Sequence, residues 1–315
     1  LAVSIKSALS GQPNIALGNV IGSNIFNVLF ILGLSAMIIP LVVAQQLVRL
    51  DVPLMIFLSV LVLLFSLDGN IGRANGVMLV VGLFAYIGFS VYQSRKETAE
   101  VQEEYAQEFG AGKSRRSSWL KNIGLIVAGL VLLILGSRWL VDSAVTFARF
   151  LGVSELIVGL TIVAAGTSLP EVVTSIVAAI RGERDIAVGN VVGSNIFNLM
   201  GVLGFASIVA PAGIEVSSAV IGFDMPIMVA VAVACLPIFF TGGVIKRWEG
   251  ALLFGYYLAY TLYLVLAASQ HDVLPKFSAV MLYFVIPLTV LTLGVVVYQE
   301  VRSRRKTGQS TAPQG

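Results

Sequence analysis

The decapeptide GNVIGSNIFN runs from Gly18 to Asn27, and GNVVGSNIFN returns from Gly189 to Asn198. Both copies lie inside long apolar segments, where Ser and Asn side chains find no water to bond. A chain that writes the same polar insert twice in hydrophobic surroundings must fold so that both copies share a protected interior. The match extends past the decapeptide: over 15–27 against 186–198, eleven of thirteen positions are identical, the exceptions being Leu17/Val188 and Ile21/Val192. Further on, DVP (51–53) pairs with DMP (224–226), and RANG (73–76) with RWEG (247–250). Two halves of one architecture are therefore present.

The surroundings identify the solvent. Hydrophobic residues make up 57% of the 315 and charged ones only 12%, and a mean hydropathy of +0.93 lies outside the range of soluble globular chains. Apolar stretches recur at 14–40, 52–67, 74–93, 120–141, 155–180, 185–210, 223–241, 249–268 and 277–299. Most are long enough to cross a bilayer core of roughly 30 Å as helices. They are apolar all round rather than alternating, which excludes a β-barrel. The first ten residues read as the tail of one more helix, preceded by a segment upstream of Leu1.

The basic residues fall in clusters. Arg49, the stretch from Arg95 to Lys121, Arg181 with Arg184, Lys246 with Arg247, and Arg302 to Lys306 hold fifteen of the twenty Lys and Arg. Counting helices between them puts all the clusters on one side, and the alternate connections, such as 10–14 and 211–218, are poor in Lys and Arg. By the positive-inside rule the basic loops and C-terminal tail are cytoplasmic, in a multi-pass protein of the inner (plasma) membrane. This charge pattern points to a lipid bilayer and to no nucleic acid, and no obligate protein partner is implied. Residues 94–118 form the only long polar stretch and read as a helix-compatible cytoplasmic linker. The expected organisation is a first repeat over 1–93, that linker, a second repeat over 119–268, an additional transmembrane helix within 269–300, and a tail over 301–315.

Four complete segments separate the helix holding Asn27 from the helix holding Asn198. The second copy is five helices on, an odd number, so it runs through the membrane in the opposite sense. Inverted-topology repeats characterise secondary transporters, whose sites lie near the midplane where the repeats meet.

Just ahead of the second decapeptide stands GLTIVAAGTSLPEVVTSIVAAIRG (159–182). Glu171 is the one acid near the middle of an otherwise apolar span, where an ionisable group is a functional hypothesis by default. Pro170 removes a backbone donor, and Gly166, Thr167 and Ser168 loosen the same turn. A helix broken at membrane depth frees carbonyls that must line a cavity or bind something. The donors on offer are the Glu171 carboxylate, the Thr167 and Ser168 hydroxyls, freed backbone carbonyls, the Ser23 and Ser194 hydroxyls, and the Asn27 and Asn198 amide oxygens. Each Ser–Asn pair sits four apart on one helical face. All are hard oxygen donors, which suits Ca²⁺ or Na⁺ rather than zinc or copper.

Other features read as structure. The Gly18/Gly22 and Gly189/Gly193 spacings are small-xxx-small patterns that read as close helix packing. Asp51 and Asp224, each two before a proline, read as helix N-terminal caps. Asn24 and Asn195 are either ligands or cross-helix hydrogen-bonding groups. Cys235 reads as a small core residue, and His271 as a lone polar residue of a short connection.

AAGTSLPE (164–171) followed by GNVVGSNIFN resembles the paired α-repeat motifs of the sodium/calcium exchanger family, within the cation/calcium antiporters. The resemblance runs from Leu1 to about Ala268. It implies an all-α integral membrane fold with a ten-helix inverted-repeat core around central cation sites, to which this chain adds one C-terminal helix. Carried over by position, it implies that Glu171, Thr167, Ser168, the Ala164 carbonyl, Ser194, Asn198, Ser23 and Asn27 belong to those sites. The counterpart of Glu171 would fall immediately ahead of Leu1, so the first helix and half of the second are expected upstream. Asn stands at both 27 and 198, where some relatives carry Asp in one copy, which leaves stoichiometry and potassium dependence open.

The function expected is a secondary antiporter that exchanges Ca²⁺ for Na⁺ by alternating access, with no cofactor beyond the transported ions. An H⁺/Ca²⁺ or K⁺-dependent exchanger of the same superfamily is the alternative, and a cation channel a more distant one. An intramembrane enzyme fails, because a single buried carboxylate without His or a placed Cys offers no nucleophile–base pair.

Overall fold

The computed structural model describes residues 1–9, 13–109, 121–129, 131–132, 134–136, 139, 143, 146 and 164–310. The expected span over 120–141 is described in part, and residues 155–163 of the expected span over 155–180 lie outside the described residues. Among the described residues, seven helices are long and apolar enough to cross a membrane. After a short helix α1 (Ala2–Leu9), six of the spans are α2 (Ala16–Ile38), α3 (Leu47–Phe65), the apolar part of α4 (Arg73–Phe109), α6 (Arg184–Val209), α7 (Val220–Phe240) and α8 (Arg247–Ala268). The seventh is α9 (Leu274–Arg302). Between α4 and α6 come described helical residues within Lys121–Gly136, a single helical turn, Ala164–Thr167, and α5 (Leu169–Arg181). The acidic stretch after residue 93 continues α4 as helix to Phe109.

Two helices start earlier than their prolines suggest. α3 and α7 each begin with a π-helical turn, Leu47–Asp51 and Val220–Asp224, ahead of Pro53 and Pro226. The Val52 and Met225 N–H groups bond the Leu47 and Val220 carbonyls, five residues back. That wider turn accommodates the donor each proline lacks. Asp51 and Asp224 are therefore inside their helices, and neither makes a side-chain cap. Instead Tyr86 donates to Asp51 at 2.8 Å and Tyr260 to Asp224 at 2.8 Å. The N-cap reading is corrected on this point: each carboxylate ties two successive helices of its half together.

Four two-residue strands mark the two ends of the molecule. β1 (Leu41–Val42), following α2, pairs antiparallel with β4 (Val244–Ile245), preceding α8. β2 (Asn70–Ile71), following α3, pairs with β3 (Ile214–Glu215), following α6. α3 connects the two ends, and its 19 residues span about 28 Å at 1.5 Å per residue. α2 thus runs toward the β1·β4 end and α6 toward the β2·β3 end. The two decapeptide helices are antiparallel, as the odd helix count requires.

Contacts between the halves come in swapped pairs. Gly33 packs on Gly250, and Gly76 on Gly204: a Cβ added at Gly250 would lie 2.7 Å from the Gly33 carbonyl oxygen, and one at Gly76 would lie 2.7 Å from that of Gly204. Gly33 and Gly204 are 171 positions apart, matching the decapeptide offset. Contacts in which i meets j′ and j meets i′ are the mark of a two-fold relation. These crossings lock α2 to α8 and α6 to α4 backbone to backbone. The core lies mainly along α2 and α6, where Ile25, Ile31, Leu32, Ile196, Leu199 and Leu203 are fully buried. α9 contributes no buried residue in its apolar stretch, so it stands on the outside of this bundle. Cys235 is buried, as a small core residue should be.

Candidate functional site

The site begins at a break in a helix. The turn Ala164–Thr167 ends at Ser168, whose φ −98°, ψ 7° leaves the helical region, and α5 starts at Leu169 with Pro170 in its first turn. The Ser168 N–H bonds the Ala165 carbonyl at 3.2 Å, one residue closer than an α-helix would take. The Ala164 carbonyl is thereby left without its helical donor, and Pro170 offers none to Gly166. Thr167 and Ser168 supply hydroxyls on the same turn. Ser168 is buried.

At the other end α5 stops at Gly182, in the left-handed conformation at φ +91°. Gly182 N–H bonds Ala179 at 3.2 Å and Glu183 N–H bonds Ala178 at 3.0 Å, a Schellman termination that needs glycine there. Glu171 stands ten residues inside this end, about 15 Å along the axis. That is half of a bilayer core of roughly 30 Å. That distance is compatible with the mid-span position expected for Glu171 from the sequence.

Glu171, Ser194 and Asn198 face one cavity of about 300 Å³, with Gly189, Asn190, Gly193 and Phe197 completing its described lining. Six of these seven come from α6 at positions 189, 190, 193, 194, 197 and 198, one stripe of a 3.6-residue helix. Among the described residues, nothing comes within 4 Å of where a Cβ would sit on Gly18, Gly189 or Gly193. The close-packing reading of these glycines is therefore corrected: on α6 they keep the cavity wall low, and the backbone-to-backbone crossings are made by Gly33, Gly76, Gly204 and Gly250.

The remaining expected ligands are not among its described lining. Thr167 donates to Asn19 Oδ1 at 2.8 Å, and Asn19 donates to Ser4 Oγ at 3.2 Å. Ser23 and Asn27 are buried on α2, and Asn27 Nδ2 donates to Asn195 Oδ1 at 2.9 Å. The mate of that bond is Asn198 Nδ2 to Asn24 Oδ1 at 3.2 Å. Asn24 and Asn195 thus bond across the helices. Both Asn27 and Asn198 open a π-helical turn, Asn27–Leu32 and Asn198–Val202, a local widening often found at functional sites.

Sequence reasoning missed a second symmetric set. Asn190 donates to Ser175 Oγ at 2.9 Å and to the Glu171 carbonyl at 3.3 Å, and Asn19 with Ser4 repeats the first of these 171 positions earlier. The identity of Asn19 and Asn190 within the repeat was the available signal. These bonds staple each decapeptide helix to the helix before it and fix the turn carrying Glu171.

Two oxygens here are buried without a hydrogen-bond partner among the described residues, Glu171 Oε2 and Asn27 Oδ1. Burying an unsatisfied acceptor costs about 1–3 kcal/mol, more when charged. Asp51 and Glu249 are also buried; Asp51 accepts from Tyr86 and Glu249 Oε2 from the Lys246 N–H at 2.7 Å, while Glu249 Oε1 likewise lacks a partner among the described residues.

Comparison with known proteins agrees with this geometry. The family description "Sodium/calcium exchanger protein" matches residues 1–92 and 121–266. CaxA of Alkalimonas amylolytica is 36% identical over 265 residues, 82% of this chain and 81% of that one. The sodium/calcium exchanger MaX1 of Methanosarcina acetivorans is 30% identical over 291 residues, 82% of this chain and 83% of that one. A solved structure of the sodium-calcium exchanger NCX_Mj soaked with 2.5 mM Na⁺ and 0.1 mM Ca²⁺ superposes with a TM-score of 0.65 at 28% identity, covering 81% of this chain and 78% of that chain.

Proposed function

Because the chain belongs to the sodium/calcium exchanger family, a family of membrane transporters rather than enzymes, we propose that it exchanges Ca²⁺ for Na⁺ across the inner (plasma) membrane by alternating access. The observation that carries the proposal is Glu171. Its Oε2 is buried and, among the described residues, unpartnered on the wall of a cavity that also presents Ser194 and Asn198.

A dehydrated Ca²⁺ takes six to eight oxygens and is tuned by the number of charged ones. Glu171 supplies charge, while Ser194, Asn198 and the carbonyls freed at the 164–168 break supply neutral oxygen. Asn27 Oδ1, likewise unpartnered, and the Ser23, Thr167 and Ser168 hydroxyls extend the set from both halves. Na⁺ prefers the same hard donors. Since both ions draw on the Glu171 carboxylate, occupancy by Ca²⁺ and full occupancy by Na⁺ exclude each other, and that competition is the coupling an antiporter needs.

The two-fold exchange of contacts supports alternating access. Two antiparallel halves joined by swapped contacts have a second arrangement of similar energy in which their roles are reversed. The cation site lies where they cross, so reversing the roles moves its opening from one face to the other. The basic clusters, Lys246 and Arg247 among them, support a cytoplasmic β1·β4 end.

The test is ⁴⁵Ca²⁺ uptake into vesicles holding the purified protein, driven by an outward Na⁺ gradient. Saturable uptake that collapses without Na⁺ is expected. Uptake driven by a proton gradient alone, or requiring K⁺, would transfer the protein to another ion couple. Unsaturable conductance would make it a channel.

A further inference from the structure

Four asparagines form a chain of directed bonds where the halves meet. Asn27 Nδ2 donates to Asn195 Oδ1 at 2.9 Å, and Asn198 Nδ2 donates to Asn24 Oδ1 at 3.2 Å. Asn24 and Asn195 are in turn oriented by their own amide protons. Asn24 Nδ2 points at Met228 Sδ at 3.7 Å, and Asn195 Nδ2 at Met55 Sδ at 3.4 Å and the Asn24 carbonyl at 3.3 Å. Thioether sulfur and carbonyl oxygen accept and cannot donate. Each can therefore face the Nδ2 of its asparagine but not the Oδ1.

An amide side chain has two ends of nearly equal size, one accepting and one donating. Only the accepting end can bind a cation. In a ligand asparagine the donating end must therefore be held by something else. We infer that Asn24 and Asn195 are positioning residues that set the amide orientation of Asn198 and Asn27. The sulfurs fix the Asn24 and Asn195 amides with Oδ1 toward the opposite half. Those oxygens capture the Nδ2 of Asn198 and Asn27. What remains to Asn27 is Oδ1, buried and unpartnered, and what remains to Asn198, on the cavity wall, is its Oδ1.

The same chain bears on why amides stand at 27 and 198. An Asp at 198 would set a carboxylate oxygen against Asn24 Oδ1, acceptor against acceptor. Relief would require the Asn24 amide to turn over, which would place its Oδ1 on Met228 Sδ. The Met228 and Met55 sulfurs thus favour neutral ligands two side chains away. This inference rests on the reading of Asn27 and Asn198 as cation ligands.

The experiment measures equilibrium ⁴⁵Ca²⁺ binding to the full protein in detergent, with monodispersity as the folding control. Asn24→Leu removes the acceptor and frees Asn198 to present Nδ2, so Ca²⁺ affinity should fall about tenfold, the order expected for one oriented hydrogen-bond-strength interaction. A carboxylate has no wrong end. In an Asn198→Asp background the further change Asn24→Leu should therefore cost less than about twofold, because it removes a repulsion and no orientation is left to lose. The rescue should follow the bonds: Asn195→Leu is rescued by Asn27→Asp, while Asn24→Leu with Asn27→Asp keeps the full loss. If Leu is not tolerated, the same four comparisons are made with Ala, which leaves the helix intact. Equal losses in all backgrounds would mean that Asn24 and Asn195 only hold the helices together, and would overturn the inference. A different failure, unchanged Ca²⁺ affinity in Asn198→Ala and Asn27→Ala alone, would overturn the ligand reading beneath it.

Discussion

Two glycines of similar sequence context should respond in opposite ways to one added methyl group. At Gly193 no atom of the described residues lies within 4 Å of the new Cβ, whereas at Gly250 it would meet the Gly33 carbonyl oxygen at 2.7 Å, Ala36 Cβ at 2.8 Å and the Met37 nitrogen at 2.9 Å. Both substitutions gain the same helix propensity, about 1 kcal/mol for Gly→Ala. That gain cancels in the difference between them, leaving the steric term. Two of the three atoms around Gly250 are backbone and cannot swing aside, so overpacking of about 1–3 kcal/mol applies there and not at Gly193. Thermal unfolding of the purified protein in detergent should show Gly193→Ala melting at or above the wild type and Gly250→Ala clearly below it. Function should reverse the order of harm. Gly193→Val narrows a cavity of about 300 Å³ beside Glu171 and Asn198, so Ca²⁺ uptake should fall while the fold holds. Equal destabilisation by Gly193→Ala and Gly250→Ala would refute the assignment of one glycine to a cavity and the other to a helix crossing.

The symmetric Asp–Tyr bonds make a second prediction: Tyr86→Phe and Tyr260→Phe should each destabilise by about 1–3 kcal/mol, the cost of leaving a buried acceptor without its donor, and unfolding melts of the two should move together. A third concerns direction: single cysteines placed in 10–14 and in 181–185 should be labelled by a membrane-impermeant thiol reagent from opposite faces, the second only from the cytoplasm, and labelling of both from one face would contradict the antiparallel repeat.

Much of this was legible in the chain because repetition and hydropathy survive without coordinates. The spans over 14–40, 185–210 and 223–241 lie within about three residues of α2, α6 and α7, since their ends are written in Pro, Gly and charge. The break at 164–171 was legible from Pro170 and the small residues before it. What the sequence could not show was which neighbour each side chain meets. Gly189/Gly193 and the four glycines of the helix crossings look alike on paper, and only the approach of a second helix separates them. Asp51 and Asp224 looked like caps because a proline followed two residues later. Their partners, Tyr86 and Tyr260, are 35 and 36 positions away on the next helix. The Asn190–Ser175 and Asn19–Ser4 bonds were missed for the same reason, although the repeat had already marked both asparagines as a pair.

The central claim is that Glu171 is the charge on which the transported cation sits. Glu171→Gln keeps the size of the side chain and one carbonyl oxygen but removes the charge, so the fold should persist while Ca²⁺ loses its ionic ligand on this helix. Sodium-gradient-driven ⁴⁵Ca²⁺ uptake is the direct measurement, made with wild type and Glu171→Gln at matched amounts of monodisperse protein in the same vesicles. The account predicts uptake by the first and none above background by the second. Uptake by Glu171→Gln at the wild-type rate would contradict it.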